Sequence, residues 1–237
     1  MTGRVWLVGA GPGDPGLITV RGLELLRSCD AVVFDRLVAP ELVDEAPGEA
    51  LRIGREPLSQ DEINLLLVRL ARRGLDVVRL KGGDPFLFGR GGEEALTLVE
   101  AGIPFEVVPG VSSLAAVPAV AGIPVTHRGV SSQVTIVNGH GPIDFEALAG
   151  APGTLVVFMG LGRLDELARG LIDHGRPGST PAAVVASGTL PEQRIIVAAL
   201  AEIAAAAEEL DAPALVVVGD VVSLAHVLNG GLTAVAA

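Results

Sequence analysis

The sequence is poor in cysteine and in aromatic residues. Its 237 residues include one cysteine, one tryptophan and no tyrosine. A single cysteine, Cys29, excludes a disulfide within the chain and provides no spacing for a zinc or iron–sulfur site. We therefore interpret Cys29 as a buried structural thiol and predict no metal. With so few rings, any flat ligand is expected to pack on backbone and aliphatic groups.

Positive charge is also scarce. Acidic residues outnumber the 17 basic ones, the formal net charge is −11, and Lys81 is the only lysine. Proteins that bind nucleic acid normally present a basic face, so we expect no nucleic-acid partner. A polyanionic ligand would require the few cations to be concentrated in one cleft.

Long hydrophobic runs are missing as well, although 49% of the residues are hydrophobic. Gly, Pro and Asp interrupt every apolar stretch before it reaches the roughly 18 residues of a membrane span. The first apolar run, Val5–Val8, has the character of a strand rather than of a signal peptide. We expect a protein without membrane segments that resides in the cytoplasm.

Short apolar runs alternate with helical patterns along the chain, which predicts an α/β architecture in both halves. The predicted strands are 5–8, 31–34, 76–80, 105–108, 133–138, 154–159, 182–186 and 214–219. The predicted helices are 17–28, 61–73, 92–101, 163–174 and 200–210. Residues 109–130 are rich in Pro, Gly, Ser and Ala and mark a junction. We predict an N-terminal α/β domain at 1–112 and a C-terminal α/β domain at 113–237.

A glycine-rich loop, Gly9-Ala10-Gly11-Pro12-Gly13-Asp14, follows the first strand. It nearly matches a dinucleotide-binding fingerprint, and Asp35 stands where a ribose-binding acid would lie. A nicotinamide-dependent oxidoreductase is therefore an alternative. Against it, the Asp14 carboxylate would repel a pyrophosphate, and Pro12 and Pro15 lack the N–H donors of a phosphate cradle. The loop is equally consistent with a tight strand-to-helix turn.

A second glycine-rich loop, which runs from Lys81 to Glu94, follows another strand and enters a helix. Its glycines allow a ligand to approach the backbone. Asp84 can accept hydrogen bonds from an ammonium or a ribose hydroxyl, and Arg79, Lys81 and Arg90 place positive charge beside it. This composition indicates a binding loop.

The sequence resembles the uroporphyrinogen-III C-methyltransferases of the tetrapyrrole methylase family. The resemblance extends from Val5 to about Val222. Its markers are VGAGPGDPGLIT at 8–19, FDRLV at 34–38, RLKGGDPFLFGRGGEE at 79–94, PFEVVPGVSS at 104–113, AGIPVTHRG at 121–129, LVVFMGL at 155–161 and GTLPEQR at 188–194. The block at 79–94 is the most specific of these markers.

The resemblance implies two α/β domains with the active site in the cleft between them and S-adenosylmethionine as the methyl donor, released as S-adenosylhomocysteine. The implied cofactor-binding residues are Pro12, Gly82, Gly83, Asp84, Leu87, Ser112, Ser113, Met159, Gly188 and Ala214. Ser112-Ser113 replaces the Thr-Ala that is usual in the family, and serine keeps a hydroxyl donor. From packing chemistry alone, Met159 would be a core residue and the two serines could cap a helix, and only the matched pattern makes them candidate binding residues.

The implied reaction is C-methylation of uroporphyrinogen III at two pyrrole carbons, through precorrin-1 to precorrin-2, in siroheme or cobalamin synthesis. Asp35 matches the proposed general base of the family, although it could instead pair with a cation or cap a loop. Arg55 matches the proposed proton donor but replaces a lysine, and arginine is a poor donor. The cations expected to meet substrate carboxylates are Arg36, Arg79, Lys81, Arg90, His127 and Arg128.

Other features of the function remain open. The replacement at Arg55 also suits a non-catalytic ligand-binding module, which turnover would distinguish from the enzyme. The resemblance implies a homodimer and a tetrapyrrole as the small-molecule partner. The sequence does not separate the siroheme branch from the cobalamin branch.

Overall fold

The structure is a computed structural model that describes residues 1–229, and the chain divides into one unit at Met1–Ser112 and a second from Ser113 onward. Each unit contains a five-stranded sheet with helices. The prediction of α/β architecture in both halves is confirmed. No helix within residues 1–229 is both long and apolar enough to cross a lipid bilayer.

The first unit alternates strands and helices throughout. In chain order its elements are β1 (Val5–Gly9), α1 (Val20–Leu26), β2 (Ala31–Phe34), α2 (Pro40–Asp44), β3 (Leu51–Gly54), α3 (Gln60–Arg72), β4 (Val77–Lys81), α4 (Gly91–Glu100) and β5 (Phe105–Val108). The sheet order is β3-β2-β4-β1-β5, and every pair is parallel. Val8 and Val32 pack with α1 on one face, while Leu7 and Val33 pack with α3 and α4 on the other. Both faces are therefore covered, as a parallel sheet requires.

Side-chain caps decide where two of these helices begin. The Ser59 hydroxyl accepts the Glu62 N–H while Glu62 accepts the Ser59 N–H, a capping box that starts α3. The predicted helix at 17–28 was too long. Pro15–Leu17 forms a separate 3-10 turn, and the Thr19 hydroxyl accepts the Gly22 N–H at 3.1 Å, so the α-helix begins only at Val20.

The second unit has a mixed sheet. Its elements are α5 (Ser113–Val120), β6 (Val134–Asn138), α6 (Phe145–Gly150), β7 (Thr154–Phe158), α7 (Leu164–Asp173), β8 (Pro181–Ala186), β9 (Arg194–Ala199), α8 (Ile203–Ala206), β10 (Ala214–Val218) and α9 (Ala225–Asn229). The order is β6-β7-β10-β8-β9, where only the β6–β7 pair is parallel.

Several elements of this unit differ from the prediction, which also missed the short helices α6 and α9. The strand β9 was not predicted, and it forms an antiparallel pair with β8 after a short turn. The predicted helix at 200–210 shrinks to Ile203–Ala206. The cause is that the Leu200 N–H bonds to the Thr180 carbonyl and the Ala201 N–H to the Gly178 carbonyl, which holds this end of the segment to a neighbouring loop. These tertiary contacts outweigh the helix propensity of the alanines.

Candidate functional site

The carboxyl ends of the five parallel strands of the first unit lie at one edge of its sheet. The loops that start there begin after Gly9, Phe34, Gly54, Lys81 and Val108. Ligands of open parallel α/β sheets bind at this edge. The topology therefore places both glycine-rich loops, Asp35 and Arg55 along the same edge.

Three glycine backbones converge at the centre of that edge. A Cβ atom on Gly9 would lie 2.5 Å from the Gly110 Cα and 2.6 Å from the Gly83 carbonyl oxygen. A Cβ on Gly110 would lie 2.2 Å from the same oxygen. Gly83 itself has φ +65°, and it exchanges hydrogen bonds with Gly11. Any larger residue at Gly9 or Gly110 would force the loops apart, so the glycines set the close approach.

Asp84 ties the second glycine loop to the end of β5. One of its carboxylate oxygens accepts the Phe86 N–H at 2.8 Å, and the other accepts the Gly110 N–H at 3.0 Å. Each oxygen retains a further lone pair for a ligand donor. Asp84 is half-buried, so its carboxylate both holds the loop and remains within reach of the edge.

In the first glycine-rich loop, the Asp14 carboxylate bonds to the backbone of the loop itself. Asp14 accepts the Gly16 N–H at 2.7 Å and so caps the 3-10 turn Pro15–Leu17. Pro12 is half-buried beside Gly11, which pairs with Gly83. Leu87, in the second loop, is also half-buried, and its N–H points to the Asp84 carbonyl at 3.4 Å. Pro12, Leu87 and the Gly82–Asp84 segment are thus grouped at one edge.

A buried charge network lies below this edge. Arg79 forms very short ion-pair contact with Asp35, and its Nε lies 2.9 Å from Glu94 Oε1. Lys81 Nζ lies 2.9 Å from the same Glu94 oxygen and 3.9 Å from Asp35 Oδ2. The side chains of Arg79, Lys81 and Glu94 are 0%, 1% and 0% exposed, whereas that of Asp35 is 19% exposed. Asp35 is therefore the member of the network that opens to solvent.

The burial of Arg79 and Lys81 bears on their expected contact with substrate. They occupy alternate positions of β4, so both face the side of the sheet covered by α3 and α4. Their charges are directed to Glu94 and Asp35. Burial and the neighbouring Arg79 lower the pKa of the Lys81 ammonium, while Glu94 and Asp35 act in the opposite direction. In this structure both cations support Asp35 and neither is presented to a substrate carboxylate.

The other predicted cations of the first unit lie nearer to solvent. Arg36 is exposed, with its Nε 3.7 Å from Glu56 Oε1. Arg90, at φ +59°, precedes α4 and forms two contacts with Glu93, at 2.8 and 2.7 Å. Arg55 is half-buried and directly follows β3, where its N–H donates to the Phe34 carbonyl at 2.8 Å. These side chains can reach a ligand with less desolvation than Arg79 or Lys81.

The predicted cofactor residues of the second unit meet at one edge of its own sheet. Met159 follows β7, Gly188 follows β8, and Ala214 begins β10, whose neighbours are β7 and β8. Met159, Ser187 and Thr189 all have positive φ, at 54°, 49° and 73°. Such strained non-glycine backbone concentrates at functional sites. Gly188 is required by packing, because a Cβ there would lie 2.6 Å from a Val117 methyl carbon.

The remaining predicted residues lie elsewhere. Ser112 and Ser113 stand at the division between the units, and α5 begins at Ser113. His127 and Arg128 are exposed in a turn closed by a bridge between His127 and Ser131. His127 Nδ1 lies 2.9 Å from the Arg128 carbonyl oxygen. Within residues 1–229 no cluster of His, Cys, Asp and Glu side chains has a geometry that could hold a metal ion.

Sequence reasoning missed Glu94 as a member of the network, together with three polar residues that connect to it, Gln60, Asn64 and Thr97. Gln60 Nε2 lies 3.1 Å from Glu94 Oε1 and 3.0 Å from Asn64 Oδ1, and Asn64 donates to Thr97 Oγ1 at 3.1 Å. A signal was available in the helical spacing. Glu94 shares the apolar stripe of Ala95 and Leu98, where a solvated acid does not belong.

Comparisons with known proteins agree on one family. The model of the tetrapyrrole (corrin/porphyrin) methylases matches residues 4–204. Siroheme synthase 1 of Yersinia enterocolitica is 47% identical over 235 residues, which cover 94% of this chain and 50% of the relative. Siroheme synthase of Escherichia coli is 45% identical over 237 residues, with 96% and 52% covered. The chain thus spans about half the length of the curated relatives it matches.

Solved structures match over all or nearly all of the other chain. The uroporphyrin III C-methyl transferase of Thermus thermophilus is 45% identical with a TM-score of 0.83, covering 94% of this chain and 100% of that one, and it is also known in complex with S-adenyl homocysteine. A cobalt precorrin-4 methyltransferase is 28% identical with a TM-score of 0.86, at 92% and 95% coverage.

Proposed function

We propose that this chain, which belongs to the tetrapyrrole (corrin/porphyrin) methylase family, methylates two pyrrole carbons of uroporphyrinogen III, through precorrin-1 to precorrin-2. S-adenosylmethionine is the donor. The observation that carries this proposal is the 45% identity to a uroporphyrin III C-methyl transferase over that enzyme's entire chain. The proposed product, precorrin-2, would then enter siroheme or cobalamin synthesis.

The proposed cofactor-binding residues come from both units of the chain. Pro12, Gly82, Gly83, Asp84 and Leu87 contribute from the first unit, with Ser112 and Ser113 at the division and Met159, Gly188 and Ala214 from the second. The converging glycines let the loops of the first unit approach one another closely, and the Asp84 oxygens keep lone pairs for an ammonium or a ribose hydroxyl. These features suit S-adenosylmethionine, which supplies an electrophilic methyl group on a sulfonium.

We assign Asp35 as the base that removes the proton from the methylated macrocycle. A carbon–carbon bond would form to the incoming methyl as the sulfur–methyl bond breaks, and the cationic macrocycle would then lose a proton from a position other than the methylated carbon, which becomes quaternary. Asp35 is partly exposed at the sheet edge, and Arg79 pairs with its carboxylate from below. A base needs reach first, and Asp35 is the network member that has it. Arg55 remains protonated and acts by charge alone.

Substrate carboxylates are proposed to pair with the solvent-facing cations Arg36, Arg90, His127 and Arg128. Arginine forks suit bidentate contact with carboxylates. Arg79 and Lys81 are assigned instead to positioning Asp35, because both are buried and engaged by acids. The homodimer and the cytoplasmic location stay predictions, and light scattering on the purified chain tests the first.

The proposal is tested by following the release of S-adenosylhomocysteine. Its formation should require both S-adenosylmethionine and enzymatically made uroporphyrinogen III, and it should stop when either is omitted. If no S-adenosylhomocysteine is released when both compounds are present, the result would favour a non-catalytic ligand-binding module. Calorimetry separates the oxidoreductase alternative: S-adenosylhomocysteine should bind and NAD should not, because Asp14 brings negative charge and Pro12 lacks an N–H.

A further inference from the structure

The Glu94 carboxylate lies at the centre of the buried charge network. Its Oε1 accepts from three donors, namely Arg79 Nε at 2.9 Å, Lys81 Nζ at 2.9 Å and Gln60 Nε2 at 3.1 Å. Within residues 1–229, the other oxygen, Oε2, is buried with no hydrogen-bond partner. All three donors therefore converge on one atom of a fully buried side chain.

The network is a poor device for stability alone. Two cations and two acids lose their hydration when they are buried, and well-packed apolar residues often serve a core better. The same arrangement can instead hold a charged side chain in the orientation that a reaction requires. Its only member with a substantial opening to solvent is Asp35, whose side chain is 19% exposed.

The positions of these residues along the chain connect Glu94 to Asp35 through Arg79 and Lys81. Arg79 and Lys81 lie on β4, and Glu94 lies in the first turns of α4, after the glycine loop that joins the two elements. Without the Glu94 carboxylate, the excess positive charge of the pair would be left to Asp35 alone. Lys81 and Arg79 could then turn, and the Asp35 carboxylate would lose its fixed orientation.

We infer that Glu94 is a positioning residue for methyl transfer: through Arg79 and Lys81 it holds the Asp35 carboxylate in place at the sheet edge. This inference rests on the proposed function. Because its side chain is fully buried, Glu94 is proposed to act through the two cations rather than by contact with a ligand. Its removal is therefore expected to lower kcat while leaving the KM for uroporphyrinogen III and the affinity for S-adenosylhomocysteine nearly unchanged.

The test compares three variants of the full chain by initial rates with uroporphyrinogen III. Glu94→Gln keeps the shape and removes the charge, and Glu94→Asp keeps the charge but shortens the reach. Glu100→Gln makes the same chemical change on the exposed side of α4 and serves as the matched control. We expect at least about a tenfold loss of kcat for Glu94→Gln and a smaller loss for Glu94→Asp. The control keeps the wild-type kcat.

The pH profile supplies a readout that a structural role would not move. The charges that face Lys81 are Arg79 on its own strand, Asp35 after β2 and Glu94 on α4, and Glu93 on the same helix is also within its electrostatic reach. The helix α3 brings the neutral Gln60 to Glu94. Glu94 raises the pKa of Lys81, so Glu94→Gln should move the alkaline limb of the kcat profile to lower pH. A profile at the wild-type position contradicts the inference.

The outcomes separate the inference from the proposed function. If wild-type protein forms no methylated product, the function is rejected. If the wild type is active and folded Glu94→Gln matches its kcat, Glu94 is only a structural counter-ion and the inference is overturned. If Glu94→Gln does not fold, the Glu94→Asp variant tests the inference instead. A wild-type kcat in Glu94→Asp would overturn the inference.

Discussion

The Lys81 ammonium lies 2.9 Å from Oε1 of Glu94, inside a unit whose remaining basic side chains are all arginines. The side chain is 1% exposed, with Arg79 as its neighbour on the same face of β4. A compact ammonium fits this enclosure, whereas a planar guanidinium is bulkier and holds its proton more strongly.

Exchange of this lysine for arginine tests whether its identity matters. Lys81→Arg keeps the charge, so its effect isolates shape and acidity. We expect turnover to fall at least about tenfold, equal to about 1.4 kcal/mol of barrier, with S-adenosylhomocysteine affinity nearly unchanged. The reverse exchange Arg69→Lys on the exposed side of α3 is the control. Wild-type turnover by Lys81→Arg would show that the lysine is an accident of composition.

Gly110→Ala should disrupt the meeting of the three glycines. The new Cβ would lie 2.2 Å from the Gly83 carbonyl oxygen, so the backbone must shift. We expect a loss of about 1–3 kcal/mol in the free energy of unfolding and at least tenfold weaker binding of S-adenosylhomocysteine. Urea denaturation and calorimetry measure the two effects. Gly92→Ala, where a Cβ meets nothing within 4 Å, should be neutral or stabilising.

Asp84→Asn tests the tie between the second glycine loop and the end of β5. An amide can accept only one of the two backbone N–H groups, from Phe86 or from Gly110, and its NH2 then faces the other donor. A cost of about 1–3 kcal/mol in unfolding free energy and weaker cofactor binding are expected. The exposed Asp44→Asn on α2 is the control. Unchanged stability of Asp84→Asn would mean that the loop does not depend on this carboxylate.

Cys29 should be inert in the folded protein. Burial raises the pKa of its thiol from near 9 to about 11, so almost no thiolate exists at pH 8. Labelling with a thiol reagent at pH 8 should therefore require unfolding. Because the unfolded thiol ionises first, its linkage lowers stability as pH rises from about 9 to about 11. Rapid labelling of the native protein at pH 8 would contradict the burial of this side chain.

The sequence predicted local structure best where both ends of an element are marked. Ala31–Phe34 and Phe105–Val108 have the predicted limits, because polar or Gly-Pro residues bound each apolar run. Strand β9 was missed because its apolar run at 195–199 continues without a break into the alanine-rich segment that was predicted as a helix. The Leu200–Leu210 helix failed because tertiary hydrogen bonds override alanine propensity.

Prediction of the site had a different limit. Motifs placed Asp35, Asp84 and the glycines in loops, and the parallel topology brings these loops to one edge. The motif that contains Arg79 and Lys81 could not show their burial, since pairing with Glu94 depends on how α4 packs against the sheet. The assignments of individual residues to cofactor and substrate stay predictions.

The mass of the oxidised tetrapyrrole product tests the central claim most directly. Purified protein is incubated with S-adenosylmethionine and uroporphyrinogen III, and the product is followed in time. We predict the transient appearance of a species with one added methyl group and its conversion to a species with two, as two successive additions require. A product that never gains a second methyl group, or an unmodified tetrapyrrole, would contradict the assignment of this chain as a uroporphyrinogen-III C-methyltransferase.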